Sequence, residues 1–138
     1  MYLLDTNVLS EVLRPRPSTH VVRTIHGTEP ALRFASEITR YELRMGARLL
    51  DDDAAGVLWS RIELQILPLA QWLHVDAAVA TAAADLGATL RRAGLPLETT
   101  DVMIAATALV HRLTVVTRNV RHFERVPGLA VENWFALT

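Results

Sequence analysis

Leu113-Thr114-Val115-Val116-Thr117 is the stretch of sequence that decides the fold. Its apolar and β-branched residues have the composition of a central strand that is buried on both faces, as in a parallel sheet. Tyr2-Leu3-Leu4 is a second short apolar run, and two more strand candidates lie at 32–35 and 129–131. The sequence therefore predicts a sheet of short and largely buried strands.

Segments with helical patterns separate these strand candidates. Proline, glycine and capping residues bound the predicted helices, which cover 6–13, 18–26, about 37–50, 54–67, 76–92 and 101–111. Short strands that alternate with helices indicate a mostly parallel sheet covered on both sides. We therefore predict an α/β fold, in which residues 1–138 form a single three-layer α/β/α domain with a mostly parallel central sheet.

The composition excludes several classes of protein. The chain has 138 residues, of which 51% are hydrophobic, as in a compact fold rather than a disordered chain. It has no cysteine, which excludes disulfide scaffolds, thiolate zinc sites and cysteine nucleophiles. The net charge of −1 gives no basic excess that would indicate nucleic acid. Without a signal peptide or an apolar run of roughly 18 residues, we expect a cytoplasmic protein with no membrane partner.

Acidic and polar residues cluster at one predicted edge of the sheet. Asp5 directly follows the first strand, and Glu42 lies near the start of the helix after the second strand. Asp101 opens a helix, and Thr117 and Asn119 follow the central strand. In an open α/β sheet, ligands bind beyond the carboxyl ends of the strands. We therefore expect these residues, which are distant along the chain, to meet at that edge.

Three gathered carboxylates would repel one another unless a cation lies between them. Oxygen ligands suit Mg²⁺ or Mn²⁺, and such an ion supports phosphoryl transfer or phosphodiester hydrolysis. Each residue also has a structural interpretation. Asp5 could cap a helix, Thr39-Arg40-Tyr41-Glu42 matches a capping box, Asp101 suits a helix start, and Asn119 is a common turn residue. Only their combination favours a metal site.

Four segments resemble the signature segments of PIN-domain nucleases. They are Leu3-Leu4-Asp5-Thr6-Asn7-Val8-Leu9-Ser10, Ile38-Thr39-Arg40-Tyr41-Glu42-Leu43-Arg44-Met45-Gly46, Thr100-Asp101-Val102-Met103-Ile104-Ala105-Ala106-Thr107-Ala108 and Val115-Val116-Thr117-Arg118-Asn119. The closing Phe123-Glu124-Arg125-Val126-Pro127-Gly128-Leu129 and Glu132-Asn133-Trp134 look like the VapC and FitB branch, the toxins of bacterial toxin–antitoxin pairs. The resemblance covers essentially the whole chain, in the family's order.

The resemblance implies a Mg²⁺- or Mn²⁺-dependent endoribonuclease. By position it makes Asp5, Glu42 and Asp101 the metal ligands, and Asn119 a catalytic residue. It also implies supporting roles for three neighbours, Thr6, Asn7 and Thr117. The hypothetical mechanism is in-line attack of a metal-activated water on an RNA phosphodiester, which leaves 5′-phosphate and 3′-hydroxyl ends.

The chain departs from the family at the fourth acidic position. Many relatives have an acid at one of two positions, which in this chain are occupied by Asn119 and His122. We therefore expect one metal ion in the free protein. Four arginines are candidates for steering the RNA backbone, although each could be an ordinary surface charge: Arg14, Arg16, Arg118 and Arg121. No histidine pair has metal-ligand spacing, so we expect the histidines to be surface or structural residues: His20, His26, His74, His111 and His122.

Partners also follow from the resemblance. Relatives form homodimers and assemble into larger complexes with a small VapB-like antitoxin, whose tail crosses the acidic cleft and often offers an Arg to the carboxylates. Apolar helix residues that could line an antitoxin groove, or could equally be core, are Leu49, Leu50, Val57, Leu58 and Trp59.

Three other functions remain open at this stage. The missing fourth acid is compatible with an inert PIN-like module that binds RNA or a partner, and an RNA-processing nuclease without a toxin role is a further possibility. A phosphatase could use Asp5 as its nucleophile, but HAD-like phosphatases have a second Asp where this chain has Asn7.

Overall fold

A parallel sheet forms the centre of the molecule. The computed structural model describes residues 1–136, which form one sheet of five strands: β1 (Tyr2–Leu4), β2 (Arg33–Ser36), β3 (Gln71–Leu73), β4 (Thr114–Val116) and β5 (Val131–Glu132). The spatial order is β3-β2-β1-β4-β5, and every neighbouring pair is parallel. The predicted parallel sheet is therefore confirmed. The strand β3 was not predicted from the sequence; it is an edge strand of three residues that are exposed or half-buried.

Helices cover both faces of this sheet. Within residues 1–136 there are seven α-helices: α1 (Thr6–Leu9), α2 (Thr19–Gly27), α3 (Glu37–Arg48), α4 (Asp52–Gln65), α5 (Ala77–Arg92), α6 (Thr99–His111) and α7 (Val120–Phe123). Short 3-10 turns follow α1 and precede β2 and β3. In the described part of the chain, none of these helices has the length and apolar character needed to cross a membrane.

Two hydrophobic clusters pack against opposite faces of the sheet. Leu3 and Val115 belong to the cluster that contains α5 and α6, whereas Leu4 and Val116 belong to the cluster that contains α1 to α4. Because successive side chains of a strand point to opposite faces, β1 and β4 each contribute to both clusters. The predicted α/β/α layering is confirmed.

The helix α3 begins at residue 37, as predicted, but its cap is not the predicted one. Ser36 caps this helix by accepting a hydrogen bond from the backbone N–H of Ile38 over 3.0 Å, so α3 begins at Glu37. Thr39 lies inside the first turn, and the capping box proposed for Thr39 and Glu42 is wrong. Since Glu42 is not needed as a helix cap, its carboxylate is available for another role.

Candidate functional site

Asp5 lies at the carboxyl end of β1 in a buried position. Its backbone N–H donates to the carbonyl of Val116 over 2.9 Å, which ties it to the end of β4. Its Oδ1 accepts from the backbone N–H of Thr6 at 2.8 Å, so the predicted helix cap is confirmed. Its Oδ2 accepts from the hydroxyl of Thr117 at 2.8 Å and the amide of Asn7 at 3.2 Å. These bonds fix the orientation of the carboxylate.

Burial makes the charge of Asp5 costly. The pKa of Asp5 is raised from 3.8 to about 6, mainly because burial penalises the carboxylate. The bonds from Thr117 and Thr6 oppose this rise, and the negative charges of Asp101 and Glu42 add to it. Asp101 and Glu42 are therefore close enough for their charges to influence the pKa of Asp5. A cation placed among the three would relieve both the burial cost and the repulsion.

Glu42 reaches the same edge from the second turn of α3. Its Oε1 accepts a hydrogen bond of 2.7 Å from the hydroxyl of Thr6, the residue after Asp5. The Thr6 hydroxyl also lies 3.2 Å from that of Thr39, one helical turn before Glu42. Thr6 therefore links the end of β1 to α3.

Asp101 lies in the first turn of α6 and is mostly buried. Burial raises its pKa, the nearby His122 lowers it, and the charge of Glu98 raises it further. The Nδ1 atom of His122 is 3.4 Å from Oδ2 of Asp101. His122 is partly exposed, as predicted, but its contact with Asp101 was not predicted. The sequence signal that could have indicated this contact is the position of His122 directly before Phe123, where many relatives have an acid.

Thr117 organises the end of β4. Besides donating to Asp5, its hydroxyl oxygen accepts from the backbone N–H of Asn119 at 2.9 Å and lies 3.4 Å from the amide of Asn7. Asn7 in turn accepts from the backbone N–H of Arg118 at 3.1 Å. The side chain of Asn119 is exposed and makes no hydrogen bond within residues 1–136. The three predicted supporting residues, Thr6, Asn7 and Thr117, therefore all donate hydrogen bonds to the carboxylate of Asp5.

The four candidate arginines divide into two pairs. Arg14 and Arg118 lie 3.9 Å and 3.7 Å from Oε1 of Glu11, and the guanidinium of Arg118 also stacks 3.9 Å above the ring of Phe135. Arg16 and Arg121 are exposed and form no ion pair within the described residues.

Glu11 is a buried carboxylate that the sequence analysis overlooked. Besides facing the two arginines, it accepts a hydrogen bond of 2.9 Å from the backbone N–H of Ser18. It therefore holds the segment before α2 and positions two of the candidate arginines.

An apolar groove of about 470 Å³ opens beside the acidic edge, between the segment after α1 and the helices α3 and α4. Its wall includes Thr6 and Glu42 at one end and the apolar residues Leu13, Leu58 and Ile62. Of the five predicted groove residues, Leu58 lines it. Leu49, Leu50 and Val57 are exposed, so the core interpretation is wrong for them, while Trp59 packs beneath the guanidinium of Arg44 at 4.7 Å.

The donor atoms of the acidic side chains are of the type that binds a hard divalent cation. Asp5, Glu42 and Asp101 all supply carboxylate oxygens at one edge of the sheet, and neither Asp5 nor Glu42 forms an ion pair within residues 1–136. In the same part of the chain, no three Asp, Glu or His side chains lie close enough together to enclose an ion as they stand. The donor chemistry therefore fits Mg²⁺ or Mn²⁺, and closing the set requires side-chain movement.

Comparison with known proteins identifies a family and a fold that this chain shares. The model of the PIN domain family matches residues 2–129. Toxin FitB of Neisseria gonorrhoeae is 41% identical over 126 residues, which are 89% of this chain and 91% of the relative. The tRNA(fMet)-specific endonuclease VapC of Shigella flexneri is 33% identical over 138 residues, which are 96% and 97% of the two chains. The crystal structure of FitAcB from Neisseria gonorrhoeae superposes with a TM-score of 0.89 at 39% identity and covers 99% of this chain and 100% of that one.

Proposed function

Since the chain belongs to the PIN-domain family, we propose that it is a divalent-metal-dependent endoribonuclease that acts as the toxin of a toxin–antitoxin pair. The observation that carries the proposal is the buried carboxylate of Asp5, whose pKa is raised partly by the charges of Asp101 and Glu42. Burying carboxylates near one another destabilises a protein without a bound cation, whereas a bound cation would neutralise their charges. Relatives that are named a toxin and an endonuclease support the same function.

Asp5, Glu42 and Asp101 would hold the ion, one Mg²⁺ or Mn²⁺. When bound, that ion supplies neutralising charge and the Lewis acidity that water needs to attack a phosphodiester. Thr117 and the backbone of Thr6 hold both oxygens of Asp5 in place, and the Thr6 hydroxyl holds Glu42. These hydrogen bonds therefore orient Asp5 and Glu42 before the substrate arrives.

Exposed guanidinium groups would hold the RNA backbone. Arg16 and Arg121 are exposed and can contact phosphates. Arg14 and Arg118 are also exposed, and their guanidinium groups lie next to the carboxylate of Glu11. Contacts of this kind position the strand without reading its sequence. In-line attack on a phosphodiester positioned in this way leaves 5′-phosphate and 3′-hydroxyl ends, and Asn119 can hold a water or a phosphate beside the acids.

The apolar groove supports an antitoxin partner. An amphipathic helix buries its apolar face in such a groove, and this one begins at Thr6 and Glu42. A segment that continues past the groove would therefore reach the acidic residues.

We also propose that the chain forms a homodimer, which light scattering of the purified protein tests.

Cleavage of RNA tests the proposal directly. The purified protein with Mn²⁺ should cut a panel of structured RNAs, and Asp5→Ala should lower the rate at least about a hundredfold because a ligand is lost. Asp76→Ala removes an exposed carboxylate that caps α5, so it is a matched control and should cut like the parent. Equal cleavage by Asp5→Ala and the parent would refute the assignment.

A binding module without catalysis is the second candidate. It is favoured by Asn119 at the fourth acidic position and by the open arrangement of the described acids. Calorimetry separates the two functions, because the inert module would bind the antitoxin but not Mn²⁺. The phosphatase hypothesis is disfavoured by Asn7, which stands where HAD-like phosphatases have a second Asp and which donates a hydrogen bond to Oδ2 of Asp5. A short reading frame directly upstream would separate a toxin from an RNA-processing nuclease.

A further inference from the structure

His122 lies at the acidic site on a firmly held element. It belongs to α7, which is anchored by the fully buried ring of Phe123, and its own backbone N–H donates to the carbonyl of Asn119 over 3.1 Å. Its side chain is 46% exposed, so the imidazole borders both the protein and the solvent beside Asp101. The backbone of His122 is therefore held in place by packing of the neighbouring residue.

The contact between His122 and Asp101 is longer than a strong ion pair. Charge-assisted N–H···O bonds are about 2.7–2.9 Å long, whereas Nδ1 of His122 and Oδ2 of Asp101 are 3.4 Å apart. Two ligands at right angles on an ion with bonds of about 2.1 Å would lie about 3.0 Å apart. The observed separation is thus close to that of two neighbouring ligands of one ion.

We propose that His122 supplies a nitrogen ligand, next to Asp101, to the divalent ion of the acidic site, and that it makes this site prefer first-row transition-metal ions over Mg²⁺. The inference rests on the proposed function, because it concerns the same ion. Asn119 leaves the family's fourth acidic position without a charge, and the imidazole is the donor that faces Asp101 instead.

The chemistry of the donors sets the direction of the preference. Mg²⁺ binds carboxylates, carbonyls and water and accepts nitrogen poorly, whereas affinity for imidazole-containing sites rises from Mn²⁺ to Co²⁺. A set of three carboxylates and one imidazole is therefore matched to Mn²⁺ or Co²⁺.

Pulsed electron paramagnetic resonance of the Mn²⁺-loaded full chain detects such a ligand. We expect a nitrogen modulation that changes when histidine is labelled with ¹⁵N and that disappears in His122→Ala. His111→Ala is the matched control, since His111 lies ten residues along α6 from Asp101, about 15 Å away. Absence of the modulation in the parent, or its persistence in His122→Ala, would overturn the proposal.

Metal affinities measured by calorimetry give an independent readout. His122→Ala should weaken Co²⁺ binding at least about tenfold while changing Mg²⁺ binding much less. His122→Asp should restore an all-oxygen site and tighten Mg²⁺ binding. Equal losses for both ions in His122→Ala would show that the histidine only positions Asp101.

Asp101→Asn distinguishes this inference from the proposed function. If Asp101→Asn abolishes Mn²⁺ binding while His122→Ala leaves the affinities and the spectrum unchanged, the histidine ligand is refuted and the nuclease site stands. If the parent does not bind Mn²⁺, or Asp101→Asn binds it as the parent does, the metal site itself fails.

Discussion

The hydroxyl of Thr6 donates a hydrogen bond of 2.7 Å to Oε1 of Glu42, and these residues are 36 positions apart in the chain. The bond joins the first residue of α1, which follows β1 and Asp5, to the second turn of α3. The orientation of the Glu42 carboxylate therefore depends on Thr6. The relationship predicts that a residue with no charge of its own controls metal affinity.

Thr6→Val should weaken Mn²⁺ binding about tenfold, because it keeps the shape of the side chain and removes the donor to Glu42. The cost to the free energy of unfolding should be about 1 kcal/mol, the value of one hydrogen bond. Isothermal titration with Mn²⁺ and urea denaturation measure the two effects. Thr24→Val is the control, since the Thr24 hydroxyl bonds the carbonyl of His20 on the exposed side of α2. Similar Mn²⁺ affinities for the two variants would contradict this role of Thr6.

Asp5 should make the stability of the metal-free protein depend on pH. Its pKa is about 6 in the folded protein against the ordinary 3.8, so between these values the folded state binds more protons than the unfolded state. Raising the pH through this window lowers the free energy of unfolding, by about 3 kcal/mol in total when Asp5 is fully ionised. Asp5→Asn carries no charge and should lack this dependence.

Denaturation of both proteins at pH 4 and at pH 8, with a chelator present, measures the effect. The stability of Asp5→Asn relative to the parent should rise between the two pH values, and Mn²⁺ should stabilise the parent but not the variant at pH 8. Asp76→Asn controls for removing the charge of a helix-capping side chain, because Asp76 accepts a hydrogen bond from the backbone of Val79 at an exposed position and asparagine still caps. Parallel pH profiles for Asp5→Asn and the parent would refute the prediction.

Local patterns predicted the elements that place the acids. The β-branched run at 113–117 and the apolar run before Asp5 became β4 and β1, which are adjacent in the sheet. Since carboxyl ends of parallel strands share an edge, the proximity of Asp5 to the charges of Glu42 and Asp101 follows from topology alone. This part of the site could be predicted because it depends on chain direction rather than on side-chain packing.

Side-chain packing explains what the sequence did not predict. The strand β3 begins with an exposed Gln71 and has no β-branched residue, so its pairing with β2 comes from tertiary context. The roles of Glu11 and His122 depend on contacts with Arg118 and Asp101 that are distant along the chain. Such contacts leave no local periodicity, and only the assembled fold reveals them.

Arg33 should be important for stability rather than for the site. This buried first residue of β2 donates from Nε to the carbonyl of Leu69 at 2.7 Å and from Nη1 to the carbonyls of Ile25 and Thr28 at 2.9 Å and 3.0 Å. Arg33→Lys cannot reproduce donors at two separate nitrogens, so the free energy of unfolding should fall by about 2 kcal/mol.

Urea denaturation of Arg33→Lys measures this loss, with Arg23→Lys at an exposed position of α2 as the control. Because β2 begins at the edge of the sheet opposite to the acids, Mn²⁺ affinity should stay unchanged. A variant as stable as the parent would show that the three carbonyls do not need the guanidinium.

Gly46 allows the groove proposed to bind the antitoxin to be blocked without touching the acids. It lies in α3, one turn after Glu42, on the wall of the groove, and a Cβ at this position would meet no atom within 4 Å. Gly46→Leu should therefore fold, with a gain of about 1 kcal/mol from better helix propensity, and its side chain should fill the space for a partner helix. We expect affinity for the proposed antitoxin to fall at least about tenfold while RNA cleavage continues.

Gly56→Leu is the matched control for this experiment. Gly56 lies in α4, is exposed, and also has open space where its Cβ would be, but it does not line the groove. Both variants gain the same side chain in a helix, so only the location differs. If the groove holds the antitoxin, binding by Gly46→Leu is weak and binding by Gly56→Leu equals that of the parent, as measured by co-purification and calorimetry. Equal binding by the two variants would place the antitoxin elsewhere on the molecule, because a leucine side chain cannot share the groove with a packed helix.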